Sequence, residues 1–486
     1  MEHITVNDIK SLIEQKEYKK ARECMDAFKM TADLYTDEMA ALDAGIYEAL
    51  GDRENMFWAI RDGLKYFYGN YELYYILGYY YLPQNANQAY LCFQNALFYC
   101  HDKADAAVIT ADMEELKASG QVTVNNTAIV IVSYNACYMM QKNVESIRNT
   151  LLPGTYRIIA VDNASTDGIR EWLREQSDIT LLENEQNVGF PSACNQAVRA
   201  LETSGGERDD ILLLNNDTRL APNSLFWLRM GLYEEQKIGA AGAMSNYAGN
   251  NQQLDVEFTL PGEYLDYGAA RNIPDEAPYE ERVRLCGFAM LIRGSVWNEV
   301  EGMDEVFSPG YIEDDDISMK ILKTGHRLLL CHNSFIYHAG SQSFSQYNNL
   351  EGILQEHHRI FKNKYGFDTV DYAYPKREYA EGIPYSTKDA FNLLQIGSGL
   401  GADLKYIRSV FPRANVVGIE ENENLCAVSA NTELIFPNLL SIQKIFKQPT
   451  FHVVIVSDRE RSRLSRKDAD ILAQLCLAQC VVLPKY

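Results

Sequence analysis

The stretch Ala128-Ile129-Val130-Ile131-Val132-Ser133-Tyr134-Asn135 is a run of apolar, mostly β-branched residues that breaks abruptly into polar ones. A continuous apolar run of this length suits a strand buried on both faces, as strands of parallel sheets are. An amphipathic helix is expected next, at about 137–150. Further strands follow at Arg157-Ile158-Ile159-Ala160-Val161, Ile179-Thr180-Leu181-Leu182 and Ile211-Leu212-Leu213-Leu214. Strand and helix in alternation predict a parallel sheet with helices on both faces. Ligands of such sheets bind beyond the carboxyl ends of the strands, so the residues just after each strand matter most.

Those residues are polar every time. The first strand runs into Ser133-Tyr134-Asn135 and the second into Asp162-Asn163-Ala164-Ser165-Thr166-Asp167-Gly168. The third is followed by Asn187-Val188-Gly189-Phe190 and Asn195, and the fourth by Asn215-Asn216-Asp217. Any one cluster alone reads as a helix cap or a turn. Four of them delivered to one sheet edge describe a site.

Further along, in order, come Cys286-Gly287-Phe288-Ala289-Met290, Gly302-Met303-Asp304-Glu305, Glu313-Asp314-Asp315-Asp316 and Tyr337-His338. With these motifs residues 126–346 resemble a family 2 glycosyltransferase of the rhamnosyltransferase-like kind. The resemblance implies the GT-A nucleotide-diphospho-sugar transferase fold and inverting sugar transfer, in bacterial polysaccharide or glycoprotein biosynthesis. It places Ser133, Tyr134, Asn135, Asp162, Asn163, Asn187, Gly189 and Asn216 around the nucleotide. Tyr134 would stack on the base, and Asp162 would accept its imide N–H, which selects uracil or thymine. Asn187, Gly189 and Asn195 would line the sugar and phosphate channel, the glycine allowing close backbone approach.

Asn215-Asn216-Asp217 stands at the family's DxD position and keeps only the last carboxylate. Asp217, His338 and Asn215 are thereby implied as the holders of Mn²⁺ or Mg²⁺, hard cations suited to oxygen donors, with the imidazole favouring Mn²⁺. Asp314 is implied as the general base. Glu313 would meet acceptor hydroxyls and Gly287 the donor sugar. A solvated acidic helix start is the plainer account of residues 313–316; under it Asp315→Asn would matter little. Cys286 is read as packing, because inverting transfer forms no covalent intermediate.

Two other units flank this one, giving a multidomain chain. Residues 1–122 read as all-α, with a loose tetratricopeptide-like repeat around Ala21, Ala59 and Ala89 and small residues at Ala44-Gly45 and Leu77-Gly78 for close helix crossings; the spacing is irregular, and a plain helical bundle is equally compatible. Its tyrosines offer a surface for a protein partner or self-association. Residues 347–388 read as a helix and linker. Residues 389–486 resemble part of a class I, S-adenosylmethionine-dependent methyltransferase. There Gly397-Ser398-Gly399-Leu400-Gly401 makes a glycine-rich, Rossmann-like turn and Glu420 ends the next strand. S-adenosylmethionine is therefore a candidate second cofactor. A chain ending near residue 385 is expected to keep donor binding.

The chain has 486 residues, 47% hydrophobic and 23% charged, with a net charge of −22. That acidity excludes a nucleic-acid partner. No apolar run approaches the roughly 20 residues of a membrane span. The start carries no signal-peptide pattern, and the ten cysteines lack paired zinc spacing. A cytoplasmic location is expected, free or peripheral at the inner face of the membrane. Partners are then a nucleotide-sugar donor and a glycan, protein or lipid-linked acceptor. The competing readings are a methyltransferase with an auxiliary glycosyltransferase unit and a non-catalytic scaffold.

Overall fold

A computed structural model describes residues 4–31, 35–204, 209–260, 262–340 and 349–483. Ser341, the expected domain edge at residue 346 and the first three residues lie outside these.

The decisive stretch forms strand β1 (Thr127–Ser133), buried along nearly its whole length. It pairs in parallel with β2 (Tyr156–Asp162), and β2 in parallel with β3 (Ile179–Glu183). On its other side β1 pairs in parallel with β4 (Asp210–Leu214). Register aligns Ser133 with Asp162 and Asp162 with Glu183, so the strand ends form one edge.

Five more strands complete the sheet: β5 (Thr218–Leu220), β6 (Ile238–Met244), β7 (Tyr279–Arg282), β8 (Ala289–Ile292) and β9 (Arg327–His338). The order is β3-β2-β1-β4-β8-β6-β9-β5, with β7 beside β9. Beyond β4 the sheet is mixed: β8 runs antiparallel to β4 and β6, whereas β6 and β9 are parallel. Sequence alternation marked only the parallel half. The rest joins short strands (β5, β7 and β8) to the longer β6 and β9 across long chain separations.

Seven helices precede the sheet, from Val6–Glu14 to Lys103–Ala118. Side-chain caps start several of them: Asp52 accepts from the Asn55 N–H, Asn70 from Leu73 and Asn85 from Gln88. The expected close crossing is present at Gly78, where an added Cβ would lie 2.2 Å from the Phe93 ring. Gly45 is not such a place; its nearest neighbour would be Ile76, at 3.9 Å. The helices are no separate body. Leu73, Tyr74 and Phe93 share one buried cluster with Ile129, Leu212 and Phe226 of the sheet unit. Polar bonds reinforce the joint, including Asn95 to Asn223 (3.1 Å) and Arg229 to Gln94 (3.0 Å).

After the helix Leu350–Tyr365 comes a second sheet of five parallel strands: β10 (Asn392–Ile396), β11 (Asn415–Ile419), β12 (Ile435–Phe436), β13 (Phe451–Val456) and β14 (Cys476–Leu483), in the order β12-β11-β10-β13-β14. It docks on the central unit through charge. Lys405, fully buried, reaches Glu281 of β7 (2.7 Å) and Glu433 (2.6 Å), and Arg408 bonds the same two carboxylates. Leu400, Leu425 and Val428 also enter a core cluster with Ile317 and Ile321. Among the described residues no helix is long and apolar enough to cross a membrane.

Candidate active site

A cavity of about 370 Å³ opens at the strand-end edge of the large sheet. Tyr134, Asn163, Asn187, Asn215, Asn216 and Asp217 line it together with Gly287, Glu313, Asp314 and His338.

Strand pairing explains why Asp217 meets His338. Thr218 of β5 pairs with His338, the last residue of β9, and the Ala339 N–H donates to the Asp217 carbonyl (3.0 Å). Both side chains are buried, with imidazole Nε2 3.1 Å from Asp217 Oδ1. The other ring nitrogen, Nδ1, lies 2.7 Å from the Tyr247 carbonyl and must donate to it, because a carbonyl only accepts. In the neutral ring Nε2 then presents a lone pair to a carboxylate, an arrangement that calls for a cation between them. This donor pair fits a divalent metal. Among the described residues no three His, Cys, Asp or Glu side chains are grouped so as to hold a metal ion by themselves. A bound cation would thus draw its remaining ligands from the Asn215 amide (Nδ2 3.5 Å from Nε2 as it stands), a diphosphate and water.

Asp314 opens the helix Glu313–Lys323. Tyr311 and Ile312 before it both take left-handed backbone angles (φ 72°). A β-branched residue rarely does so, and the cost, about 1–3 kcal/mol, is typical of functional turns. The turn aims Glu313 and Asp314 at the cavity. Asp314 accepts from the Gly287 N–H (3.2 Å) and the Asp315 N–H (2.9 Å). Burial and the adjacent Asp315 carboxylate push its pKa up to about 6, against the opposing pull of Arg284. Glu313 is raised well above the carboxylate range by burial, and its Oε2 has no hydrogen-bond partner. Cys286 is pushed up to about 12 by burial and by Asp314, consistent with a packing role.

The rest of the acidic run is not solvated. Asp315, 2% exposed, takes both its oxygens to Arg284 (2.7 and 2.6 Å) and accepts from the Thr369 hydroxyl. Asp316 is held by Lys364 (2.6 Å) and Tyr365 (2.8 Å).

Several expected site residues stand elsewhere. Asp162 is fully buried, with its carboxylate on Arg170 (2.6 Å) rather than in the cavity. Asn195 bolts its helix to Met303 (2.9 and 3.0 Å) and Glu305 (3.0 Å), and does not line the sugar channel. Gly189 (φ 85°) is needed because Ser308 and Pro309 would lie 2.9 Å from a Cβ, so the close approach there is by the chain itself. Ser133 lies beneath Asn216, within 3.4 Å, and Asn135 caps the 162–168 turn by accepting from Thr166 (2.8 Å). Tyr247 and Phe288 line the cavity unforeseen: Phe288 stacks on His338 (5.4 Å, 11°) and Tyr247 meets it edge-on. Only the placement of Phe288 within the Cys286–Met290 motif could have pointed to it.

The glycine-rich turn after β10, the candidate place for S-adenosylmethionine, borders a cavity of about 460 Å³ that Tyr372, Glu420 and Asn422 also line. Here added Cβ atoms would meet Ser457 (2.2 Å) at Gly397, Tyr372 (2.8 Å) at Gly399 and Glu433 (2.9 Å) at Gly401. A side chain of the chain itself thus stands close to each of the three glycines. Both Glu420 oxygens are engaged, by the N–H groups of Gly399 (2.8 Å) and Asn422 (2.9 Å).

Residues 128–298 match the model of the family described as glycosyl transferase family 2. The central unit is a family 2 glycosyltransferase domain. A succinoglycan biosynthesis protein, ExoA, of Rhizobium meliloti (strain 1021) is 24% identical over 229 residues, 46% of this chain and 66% of the relative. An uncharacterized protein, y4gI, of Sinorhizobium fredii (strain NBRC 101917 / NGR234) is 25% identical over 268 residues, 51% of this chain and 28% of the relative. The chain thus spans less than two thirds of either relative. Among solved structures, GalNAc-T7 with UDP, GalNAc and Mn²⁺ is similar at a TM-score of 0.38, with 17% identity over 60% of this chain and 56% of that one. The mannosyltransferase PcManGT from Pyrobaculum calidifontis, in complex with GDP-Man and Mn²⁺, is similar at 0.37, with 14% identity over 79% and 90%.

Proposed function

We propose that the chain transfers a sugar with inversion from a UDP- or dTDP-sugar to a glycan, protein or lipid-linked acceptor. The observation that carries this reading is the shared cavity, which sets a carboxylate of raised proton affinity, Asp314, among the same walls as the Asp217–His338 pair. A pKa of about 6 suits a base that must be ionised near neutral pH and still hold a proton well.

Asp314 takes the proton of the acceptor hydroxyl as its oxygen attacks C1 of the donor sugar. The bond from C1 to the diphosphate breaks, and the diphosphate leaves with the electron pair. A divalent cation between Asp217 and His338, with Asn215 beside it, would offset the charge that develops there. Glu313, protonated and unpartnered at Oε2, donates to a sugar hydroxyl, and Gly287 leaves room above Asp314. Tyr134, Asn163, Asn187 and Asn216 hold the nucleotide. The uracil or thymine preference rests on the resemblance at Asp162, which would have to be shared with Arg170.

Calorimetry tests the donor side. UDP or dTDP should bind in the presence of Mn²⁺, and Asp217→Asn or His338→Ala should abolish the metal-dependent part. Equal affinity in excess EDTA would remove the metal role, and preference for GDP or CDP would remove the base contact.

A further inference from the structure

Arg284 stands behind the proposed base. Its Nη1 bonds both oxygens of Asp315, and the Asp315 backbone N–H in turn donates to Asp314 Oδ1 (2.9 Å). Nε donates to the Asn250 side chain (3.0 Å), so the guanidinium is fixed from a second direction. Nη2 reaches the Tyr374 hydroxyl (2.5 Å), and the Tyr374 ring lies 5.2 Å from the guanidinium. Thr369, from the same segment as Tyr374, bonds Asp315 from the far side.

That segment is anchored at its other face to the second sheet unit. The Tyr372 ring covers Gly399, Arg459 stacks on Tyr372 (4.2 Å), and Arg459 donates to the Asp371 carbonyl (2.7 Å). The glycine-rich turn is therefore a seat for an aromatic side chain of the chain itself.

We infer that Arg284 is a positioning residue for Asp314, and that the segment Thr369–Tyr374, seated on the glycine-rich turn, is a brace that keeps it in place. The second sheet unit then acts on sugar transfer through this brace. The inference rests on Asp314 being the base. The charged and titratable groups around Asp314 are Glu313 and Asp315 on its own helix, Arg284 and Cys286 on the segment before β8, and Tyr311, Asp217 and His338 on the other cavity walls. Arg284 is the cation that holds the Asp314 proton affinity down.

The experiment is the pH profile of kcat/KM for sugar transfer by the full-length chain, with donor hydrolysis as a surrogate. Arg284→Gln should move the acid limb up by about one pH unit, because a nearby opposite charge is lost. Donor KM at high pH should stay within about twofold, and Arg284→Lys should restore part of the shift. Because Arg284→Gln strips a buried carboxylate of its partner, the half-exposed Tyr374→Phe is the second probe. It should keep the fold and shift the limb in the same direction by less. Gly399→Leu, which displaces Tyr372, should do likewise from the far end of the brace. An unmoved acid limb in folded Tyr374→Phe and Gly399→Leu would overturn the brace. Saturable S-adenosylmethionine binding that Gly399→Leu abolishes would overturn it too. Asp314→Asn separates the two readings. If that variant is dead while the limb stays fixed, only the brace fails; if it stays active, the base assignment fails.

Discussion

Three consecutive aspartates at the start of one helix meet three different surroundings. Asp314 faces the cavity, Asp315 is clamped by Arg284, and Asp316 is held by Lys364 and Tyr365. Asp314→Asn should lower transfer by about 10²–10⁴ while leaving nucleotide binding intact, since an amide of the same shape cannot take the proton. The same change should stabilise the fold. In the folded chain Asp314 binds its proton more tightly than in the unfolded chain, where the value is near 4. Its presence therefore costs stability as pH rises from about 4 to about 6, and the full cost, about 2–3 kcal/mol, persists above that. Thermal unfolding of wild type and variant should coincide near pH 4 and diverge by pH 7; parallel curves would refute the raised value. Asp315→Asn should do the opposite and destabilise by about 3–5 kcal/mol, because it leaves Arg284 buried without its partner. The acidic motif was legible in the sequence, but its division of labour was not. Arg284 pairs with a residue 31 positions away at no characteristic spacing. Arg170 and Met303, the partners of Asp162 and Asn195, likewise come from other elements and carry no spacing signal.

At the scale of elements, the parallel strands β1 to β4 and the helix Cys137–Thr150 could be read from apolar runs and periodicity alone. Of the two strands that bring His338 to Asp217, β9, twelve residues long and ended by His338, could be read, but β5 could not. β5 has three residues, too few for a pattern, and its partner lies far along the chain. Helix crossings were half legible: both small-residue positions stood out, but only one is crowded. Gly78→Val should therefore cost about 1–3 kcal/mol in urea unfolding by forcing the Phe93 ring aside. Gly45→Ala, in open space and mid-helix, should be neutral or slightly stabilising. Equal effects at the two sites would show that the Gly78 contact gives way easily.

At the scale of the whole molecule, the units expected to be separable share their interiors. The helices and the sheet bury one cluster, and the second sheet closes over Glu281 with Lys405 and Arg408. A chain ending near residue 385 would leave Glu281 with Arg327 alone and expose the face that Leu425 and Val428 cover. It should lose its cooperative unfolding transition and its nucleotide binding together. A truncated chain with wild-type melting and donor affinity would restore the simpler picture of independent domains. Fully buried Lys405 carries one more implication. An ionic contact sealed from water tolerates no near-miss: a foreign partner lacking that lysine would strand Glu281 and Glu433 uncompensated. Shuffling this protein's parts with those of relatives should therefore succeed only when Glu281, Lys405 and Glu433 travel as a set, like the wards of a lock and its key.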